Sequence, residues 1–340
     1  METIPIVHCF DHNYVLQAAV CFYSLLEHTS PDRNYCIAVI GRNLTQEDKT
    51  LLTKIVTQFP QATINIVDAP ELDLPDIPKR TNFSKDIFYK FLIADLFPDY
   101  TQVIIADVDV VYQGDVADVF EMLADTDDAI IAAPLDISYA AWRGEGILRD
   151  LGCPKSLERY HRKLSPEKLS QLRFGAGFMV YNLKRIRELK LSSTWITYTK
   201  QHFSQIILPE QDVLNYVSGD QMKPMGGHAM AIAGYYAHYE KLTPQERADN
   251  PAWDEMFTHP IQIHYASGIK PWKYPDSPMA NLWFDALLKS GLFPLWLKWI
   301  DNAMHGENRK IKRRSIFNWS IPVGKKIRFR LSLTKERLLK

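Results

Sequence analysis

The stretch that most constrains this chain is residues 103–112, VIIADVDVVY. Four apolar, mostly β-branched residues are what a strand buried on both faces of a parallel sheet requires, and the run ends in Asp107-Val-Asp109. Two carboxylates are thereby delivered to the carboxyl end of a buried strand, which is where open α/β sheets hold their ligands. If extended geometry continues through Val108, side chains two apart point the same way, and both carboxylates face one point. Each anion then disfavours ionisation of the other unless a cation sits between them. Oxygen ligands of this kind suit Mg²⁺, Mn²⁺ or Ca²⁺ rather than zinc. The competing reading is a plain turn, in which Asp side chains bond to nearby backbone.

Strand and helix patterns alternate around this stretch. Residues 4–10 (IPIVHCF) form a short apolar run, and Val15, Ala18, Ala19, Phe22, Leu25 and Leu26 follow at helical spacing. Strands are expected at 35–40, 62–67 and 129–134, with Thr45 and Asp48 opening a helix as an approximate capping box. Ser84 is a plausible N-cap for a helix over 85–97, and Asp118 for a short helix before the fifth strand. This alternation predicts an α/β fold with a doubly wound, mostly parallel sheet. No G-x-G-x-x-G follows the first strand, which argues against a dinucleotide-binding domain. The second half is less regular: a polar, helical stretch over 136–173, a strand FMVYNL after Phe174-Gly-Ala-Gly177, and helices over 184–191 and 195–203. Pro209 sits near the first turn of a further helix and places Glu210, Gln211 and Asp212 at its amino-terminal end. A late strand over 261–264 runs into YASGIKPW at 265–272.

At 340 residues, 46% apolar and 24% charged, the composition is that of a soluble globular protein. There is no run of 18 apolar residues and no basic segment followed by an apolar one at the amino terminus, so neither a membrane span nor a signal peptide is expected. Cys9, Cys21, Cys36 and Cys153 form no CxxC pair and are expected to be buried thiols in a reducing cytosol. Net charge is zero, yet residues 309–340 hold twelve Lys or Arg against the single acid Glu336, which leaves the remainder acidic. The expected organisation is one globular domain over 1–300 and a basic, aromatic tail over 301–340. Ile316, Phe317, Trp319, Ile327 and Phe329 interleave with the cations, the composition of an interfacial anchor on an anionic membrane. The RKIKRR run also resembles a nucleic-acid patch, but no nucleic-acid fold accompanies it and the globule is acidic, so no nucleic acid is expected as a partner.

Four motifs, HCFDHNY, VIIADVDVVY, LPEQDVLN and HYASGIKPW, occur in an order that resembles the family 8 glycosyltransferases, retaining enzymes of GT-A fold that take a sugar from a nucleotide diphosphate. The resemblance covers about residues 4–300 and is nearest to bacterial lipopolysaccharide glucosyl- and galactosyltransferases. It implies that Asp107, Asp109 and His264 bind one Mn²⁺, with Mg²⁺ as the alternative, bridging both phosphates of UDP-glucose or UDP-galactose. It places Lys270 at a diphosphate oxygen, Ser267 and Gly268 at the phosphates, and Asp11 and Asn13 at the uridine. Gln211 matches the residue on the reacting face of the donor sugar, Asp136 one that holds sugar hydroxyls, and Asp212 both this catalytic group and a helix cap. The sequence departs from the family where Lys90 stands for an arginine, where Gly175 stands for an asparagine that would touch the donor sugar, and where His12 stands for a frequent acid. The implied partners are a UDP-sugar and a saccharide or glycolipid acceptor, and the implied place is the cytoplasm, peripheral on the inner membrane face through residues 309–340. The other readings are a UDP-sugar hydrolase, a self-glycosylating primer and a nucleic-acid-binding protein acting through the tail.

Overall fold

The computed structural model describes residues 3–77, 83–123, 128–142, 164–266 and 268–305. Its centre is a seven-stranded sheet in the order β3-β2-β1-β4-β7-β6-β8. The strands are β1 (Thr3–Asp11), β2 (Asn34–Arg42), β3 (Ala62–Asp68), β4 (Gln102–Ala106), β6 (Ile131–Ala133), β7 (Phe178–Asn182) and β8 (Met222–Pro224). Neighbouring strands are parallel except that β7 runs antiparallel to both β4 and β6. A second sheet of three strands, in the order β5-β10-β9, joins β5 (Val110–Tyr112), β9 (Met230–Ile232) and β10 (Gln262–His264). The chain is thus a mixed α/β protein with a large, mostly parallel sheet, as the alternating pattern predicts. The first compact unit runs to Trp296 and the second begins at Leu297.

Helix α1 (Val15–Glu27) connects β1 to β2 and is buried on nearly every side, from Val15 through Leu26 with Tyr23 the only partial exception. That accounts for its almost uninterrupted apolar run, since it packs against other helices as well as against β5. Helix α2 (Gln46–Val56) starts on the expected reciprocal cap: Thr45 Oγ accepts from the Asp48 N–H, and the Asp48 carboxylate accepts from the Thr45 N–H. The core of the main sheet includes Val7, Ala38, Ile40, Val103, Ile105, Met179 and Tyr181. Enclosing each branched aliphatic or aromatic side chain of this kind contributes roughly 1.5–3 kcal/mol.

Several expectations are corrected. The strand before Asp107 ends where expected, but extended geometry does not continue through Val108. β4 stops at Ala106 and β5 starts at Val110, because β5 leaves the main sheet to pair with β10, with Val110 opposite His264. The segment expected as one helix over 85–97 is 3₁₀ over Lys85–Phe91 and α-helical only over Ile93–Leu96. Asp86, Phe88, Tyr89, Lys90 and Phe91 are all buried, so this segment does not present the single stripe that a 3.6-residue turn would bury. Ser84 does cap it, accepting from the Asp86 N–H. The helix Ala117–Phe120 is served by Asp115, not Asp118: Asp115 Oδ1 accepts from the Ala117 N–H at 3.0 Å. The two helices after β7 are Leu183–Glu188 and Leu191–His202, divided at Lys190, whose φ of 54° is left-handed. Of the stretch 136–173, helices are seen at Ile137–Trp142 and Pro166–Gln171, while residues 143–163, Cys153 among them, lie outside the described residues. Cys9, Cys21 and Cys36 are free thiols. Among the described residues no helix is long and apolar enough to cross a membrane.

His8, on β1, is fully enclosed: its Nδ1 lies 2.9 Å from the Ala106 carbonyl oxygen and its ring 4.9 Å from that of Phe22. Burial lowers its pKa from 6.5 to about 4, against the raising effect of the backbone carbonyl. The neutral ring is the form that folds, so the unfolded chain takes up a proton first as pH falls. Stability tied to His8 is complete above pH 6.5 and is lost between pH 6.5 and about 4. Denaturant titrations of the metal-free protein across that window should show His8→Phe with a shallower acid limb than wild type, by up to about 3 kcal/mol.

Candidate active site

The carboxyl ends of β1, β2 and β4 and the amino-terminal end of β7 share one rim of the main sheet, because β7 alone runs the other way. Asp107 and Asp109 stand on the bend that carries the chain from β4 into β5. Both ends of this bend are tied by backbone: the Asp107 N–H donates to the Gly177 carbonyl at 3.1 Å, and the Tyr265 N–H to the Asp109 carbonyl at 3.0 Å. The carboxylates converge although the backbone between them is not extended. They meet His264, whose Nε2 is 3.1 Å from Asp109 Oδ1 and 3.5 Å from Asp107 Oδ2. One ligand atom from each of the three residues falls within 4.8 Å of the others. Two carboxylate oxygens and one imidazole nitrogen, close enough to share an ion, fit a divalent cation of the Mn²⁺ type. Lys270 Nζ donates to Asp109 Oδ2 and, at 2.6 Å, to the Tyr265 carbonyl. Burial alone would raise the Asp109 pKa, but the positive charge of Lys270 and the imidazole of His264 hold it well below the usual carboxylate range.

Gly177 has a steric reason to be glycine. A Cβ built there would lie 2.5 Å from His264 Nδ1 and 2.6 Å from its Cε1. Its φ is not positive, so the requirement is space for the imidazole and not backbone conformation. One residue earlier, Ala176 is held from both sides: its N–H donates to Gln211 Oε1 at 3.1 Å, and its carbonyl accepts from Lys90 Nζ at 2.9 Å. Gln211 Nε2 in turn donates to Asp136 Oδ2 at 2.7 Å. With an N–H on one side and a carboxylate on the other, the amide of Gln211 can satisfy both partners in only one of its two orientations.

Lys90 is enclosed. It pairs with Asp107 Oδ1 at 2.7 Å and Glu210 Oε1 at 2.9 Å. Burial opposes its charge, but the two carboxylates win and raise its pKa. Its charge is therefore spent on the protein's own acids. Asp212 is also fully enclosed and accepts from the Tyr139 hydroxyl and from the N–H groups of Ile207, at 2.7 Å, and Leu208, at 3.2 Å. Burial pushes its carboxyl up to about 7 despite these donors. This placement makes Asp212 a cap and positioning residue, reaching the site only through its neighbours. Asp136, also buried, accepts from the Tyr139 N–H at 3.1 Å as well as from Gln211.

Asp11 caps the short turn His12–Tyr14, accepting from Asn13 N at 3.0 Å and Asn13 Nδ2 at 3.2 Å. His12 turns away to Asp48, with Nδ1 2.6 Å from Oδ2. Ser267 lies outside the described residues, and Gly268 is in the turn that leads to Lys270. The structure thus gathers Asp107, Asp109, His264, Lys270, Gln211, Asp136 and Lys90 around one rim, with Asp11 and Asn13 at the end of β1. Sequence reasoning missed Gly177 as a packing partner of His264, Tyr139 and Arg42. The F-G-A-G run was a signal for the first, and the carboxyl end of β2 for the third. Tyr139 carried none.

A doubly wound sheet with a carboxylate–carboxylate–imidazole group at its carboxyl rim defines a GT-A-like glycosyltransferase. Residues 5–276 match Glycosyl transferase family 8, and the chain belongs to that family. General stress protein A of Bacillus subtilis is 22% identical over 275 residues, which cover 80% of this chain and 88% of that protein. The lipopolysaccharide glucosyltransferase WaaO of Escherichia coli is 20% identical over 79% of this chain and 72% of its own length. Among solved structures, the apo WbbM bifunctional glycosyltransferase superposes with a TM-score of 0.67 at 19% identity over 87% of this chain, which spans only 51% of the WbbM chain. Enzymes of this family use UDP-sugar donors and a divalent metal.

The contact between Gly177 and His264 is open to a direct test. Gly177→Ala leaves the backbone unstrained but displaces the imidazole, so Mn²⁺ affinity measured by calorimetry or electron paramagnetic resonance should fall at least about tenfold, with the melting temperature changed by only a few degrees.

Proposed function

We propose that this protein is a retaining hexosyltransferase that moves glucose or galactose from UDP to a saccharide of a lipopolysaccharide or another cell-surface glycan, with Mn²⁺ at Asp107, Asp109 and His264. The observation that carries this reading is adjacency. The amide of Gln211 is tied to Ala176, and the next residue, Gly177, packs against the metal-ligand imidazole. A reacting sugar and its diphosphate would then lie side by side on one rim. When bound, the metal supplies positive charge against the departing diphosphate. Lys270 adds a second positive charge on the same side, and it leaves Asp109 to do so. Gln211 presents an oriented dipole, fixed by Asp136 and Ala176, to positive charge developing at the anomeric carbon. An amide is a poor nucleophile, which argues against a covalent glycosyl-enzyme. In the retaining reading the bond from the anomeric carbon to the diphosphate oxygen breaks, the acceptor hydroxyl enters on that same face, and its proton passes to an oxygen of the departing β-phosphate.

The test is incubation of the purified protein with UDP-glucose or UDP-galactose, Mn²⁺ and a lipopolysaccharide acceptor, with the anomeric configuration of the product read by NMR. Gln211→Ala should lower kcat on the order of 10²-fold while leaving UDP-sugar affinity nearly unchanged. Hydrolysis without transfer to any acceptor, or an inverted product, would overturn the reading.

We place the enzyme in the cytoplasm, held on the inner membrane face by residues 309–340, which lie outside the described residues. The support is compositional: cations interleaved with aromatic and aliphatic residues, each cation contributing about 1 kcal/mol near an anionic surface. Sedimentation with vesicles should show binding that needs anionic lipid and weakens with salt, and truncation after Asn308 should abolish it without loss of donor hydrolysis. Equal pelleting by neutral and anionic vesicles would contradict the electrostatic anchor.

A further inference from the structure

We propose that Tyr139 is a positioning residue for the amide of Gln211: donating its hydroxyl to the buried Asp212 carboxylate, it turns its oxygen to that amide, and protonation of Asp212 reverses the hydroxyl and releases the amide. This rests on the hexosyl-transfer reading above and adds to it a proton-controlled support for the group on the reacting face. Tyr139 is fully enclosed on the helix Ile137–Trp142. Its N–H donates to Asp136 Oδ1 at 3.1 Å, and its hydroxyl to Asp212 Oδ1. The hydroxyl oxygen in turn takes a hydrogen bond from the side-chain amide of Gln211. Gln211 Nε2 also donates to Asp136 Oδ2 at 2.7 Å, while Oε1 accepts from the Ala176 N–H at 3.1 Å. A primary amide has two N–H protons, so Tyr139 and Asp136 between them take both.

The two oxygens of Asp212 are not equivalent. Oδ2 accepts from the N–H groups of Ile207 at 2.7 Å and Leu208 at 3.2 Å, whereas Oδ1 faces the Tyr139 hydroxyl. A proton taken up by Asp212 therefore goes to Oδ1, where it meets the hydroxyl proton head-on. The hydroxyl must then rotate to accept, and its own proton turns toward Gln211. Donor faces donor there, and the amide loses one of the bonds that fix it. The titration falls in an accessible range, since burial pushes the Asp212 carboxyl up to about 7. Glu210, on the same helix and paired with Lys90, acts on Asp212 in the same direction. Tyr198, on the neighbouring helix Leu191–His202, and Tyr216 have their hydroxyls raised by burial and by the charge of Asp212, so both stay neutral. Burial likewise holds the Tyr139 hydroxyl well above its ordinary value, with Asp212 and Asp136 adding to it. Asp212 is thus the group that changes charge as pH falls through about 7. A tyrosine that only filled space against Asp212 would give Gln211 no dependence on that charge.

Two measurements on the full-length protein test the link. With saturating Mn²⁺, UDP-glucose or UDP-galactose and a lipopolysaccharide acceptor, kcat of the wild type should fall about tenfold from about pH 8 to about pH 6, with the donor KM nearly unchanged. Tyr139→Phe keeps the ring and should show a low kcat that is flat across this range. Asp212→Asn has the shape of the protonated carboxyl and should behave alike, which keeps the test open if the phenylalanine variant fails to fold. In the protein without ligand, the side-chain amide resonances of ¹⁵N-labelled Gln211 should shift with a midpoint near about pH 7 in wild type and stay still in both variants. An acid limb that survives unaltered in Tyr139→Phe, a wild-type kcat that is already flat, or Gln211 resonances that do not titrate would each overturn the proposal. Resonances that titrate as expected in a wild type that transfers no hexose would instead refute the transferase reading and leave the connection from Asp212 through Tyr139 to Gln211 standing.

Discussion

The catalytic rim depends on a lysine buried between two carboxylates. Lys90 joins three pieces of chain distant in sequence: the bend after β4 through Asp107, the approach to β7 through the Ala176 carbonyl, and the helix Pro209–Ser218 through Glu210. Enclosing an ammonium group costs several kcal/mol, and only close, hydrogen-bonded anions offset it. Removing one partner of such a pair typically costs 3–5 kcal/mol, so the three pieces are held in one arrangement. Asp107 and, through Ala176, the amide of Gln211 are positioned by the same side chain.

Charge at the rim is arranged in layers. Lys90 compensates Asp107 from inside the protein, and Lys270, itself largely buried, compensates Asp109. Asp107 and Asp109 therefore do not face each other as bare anions, as the Asp-Val-Asp triplet alone would have it. The two lysines differ in exposure. Lys90 is enclosed, while Lys270, on the segment that follows β10, keeps 12% of its side-chain surface exposed. Lysine in place of arginine at position 90 suits this role, because a compact ammonium fits between two carboxylates and a carbonyl where a planar fork would not.

The same logic of fixed partners governs the far end of the rim. Asp86 is buried and holds Arg42, which holds Asp11, which in turn caps the turn at Asn13. At both ends an enclosed acid or base orients a more exposed one. Preorganisation of this kind lets a site stabilise charge without reorganising when the ligand arrives.

Much of this was legible in the sequence, and the reasons are local. The apolar run at 103–106 can only be a strand buried on both faces, the alternation of strand and helix through β4 demands crossovers, and the Thr45–Asp48 cap depends on neighbours three residues apart. The motifs carrying Asp107, Asp109, His264 and Gln211 were visible because each occupies a few consecutive residues. What the sequence could not decide was every relation between residues far apart along it. The three-residue strands β8 and β9 are too short to show a period, and the break between β4 and β5 exists only because β10 arrives to pair with Val110. Lys90 as an internal counter-ion, Gly177 as the floor under His264, and Arg42 beside Asp11 follow from register and packing between distant segments. Local sequence sets what each segment prefers, whereas burial and charge compensation act among whichever segments tertiary structure brings together.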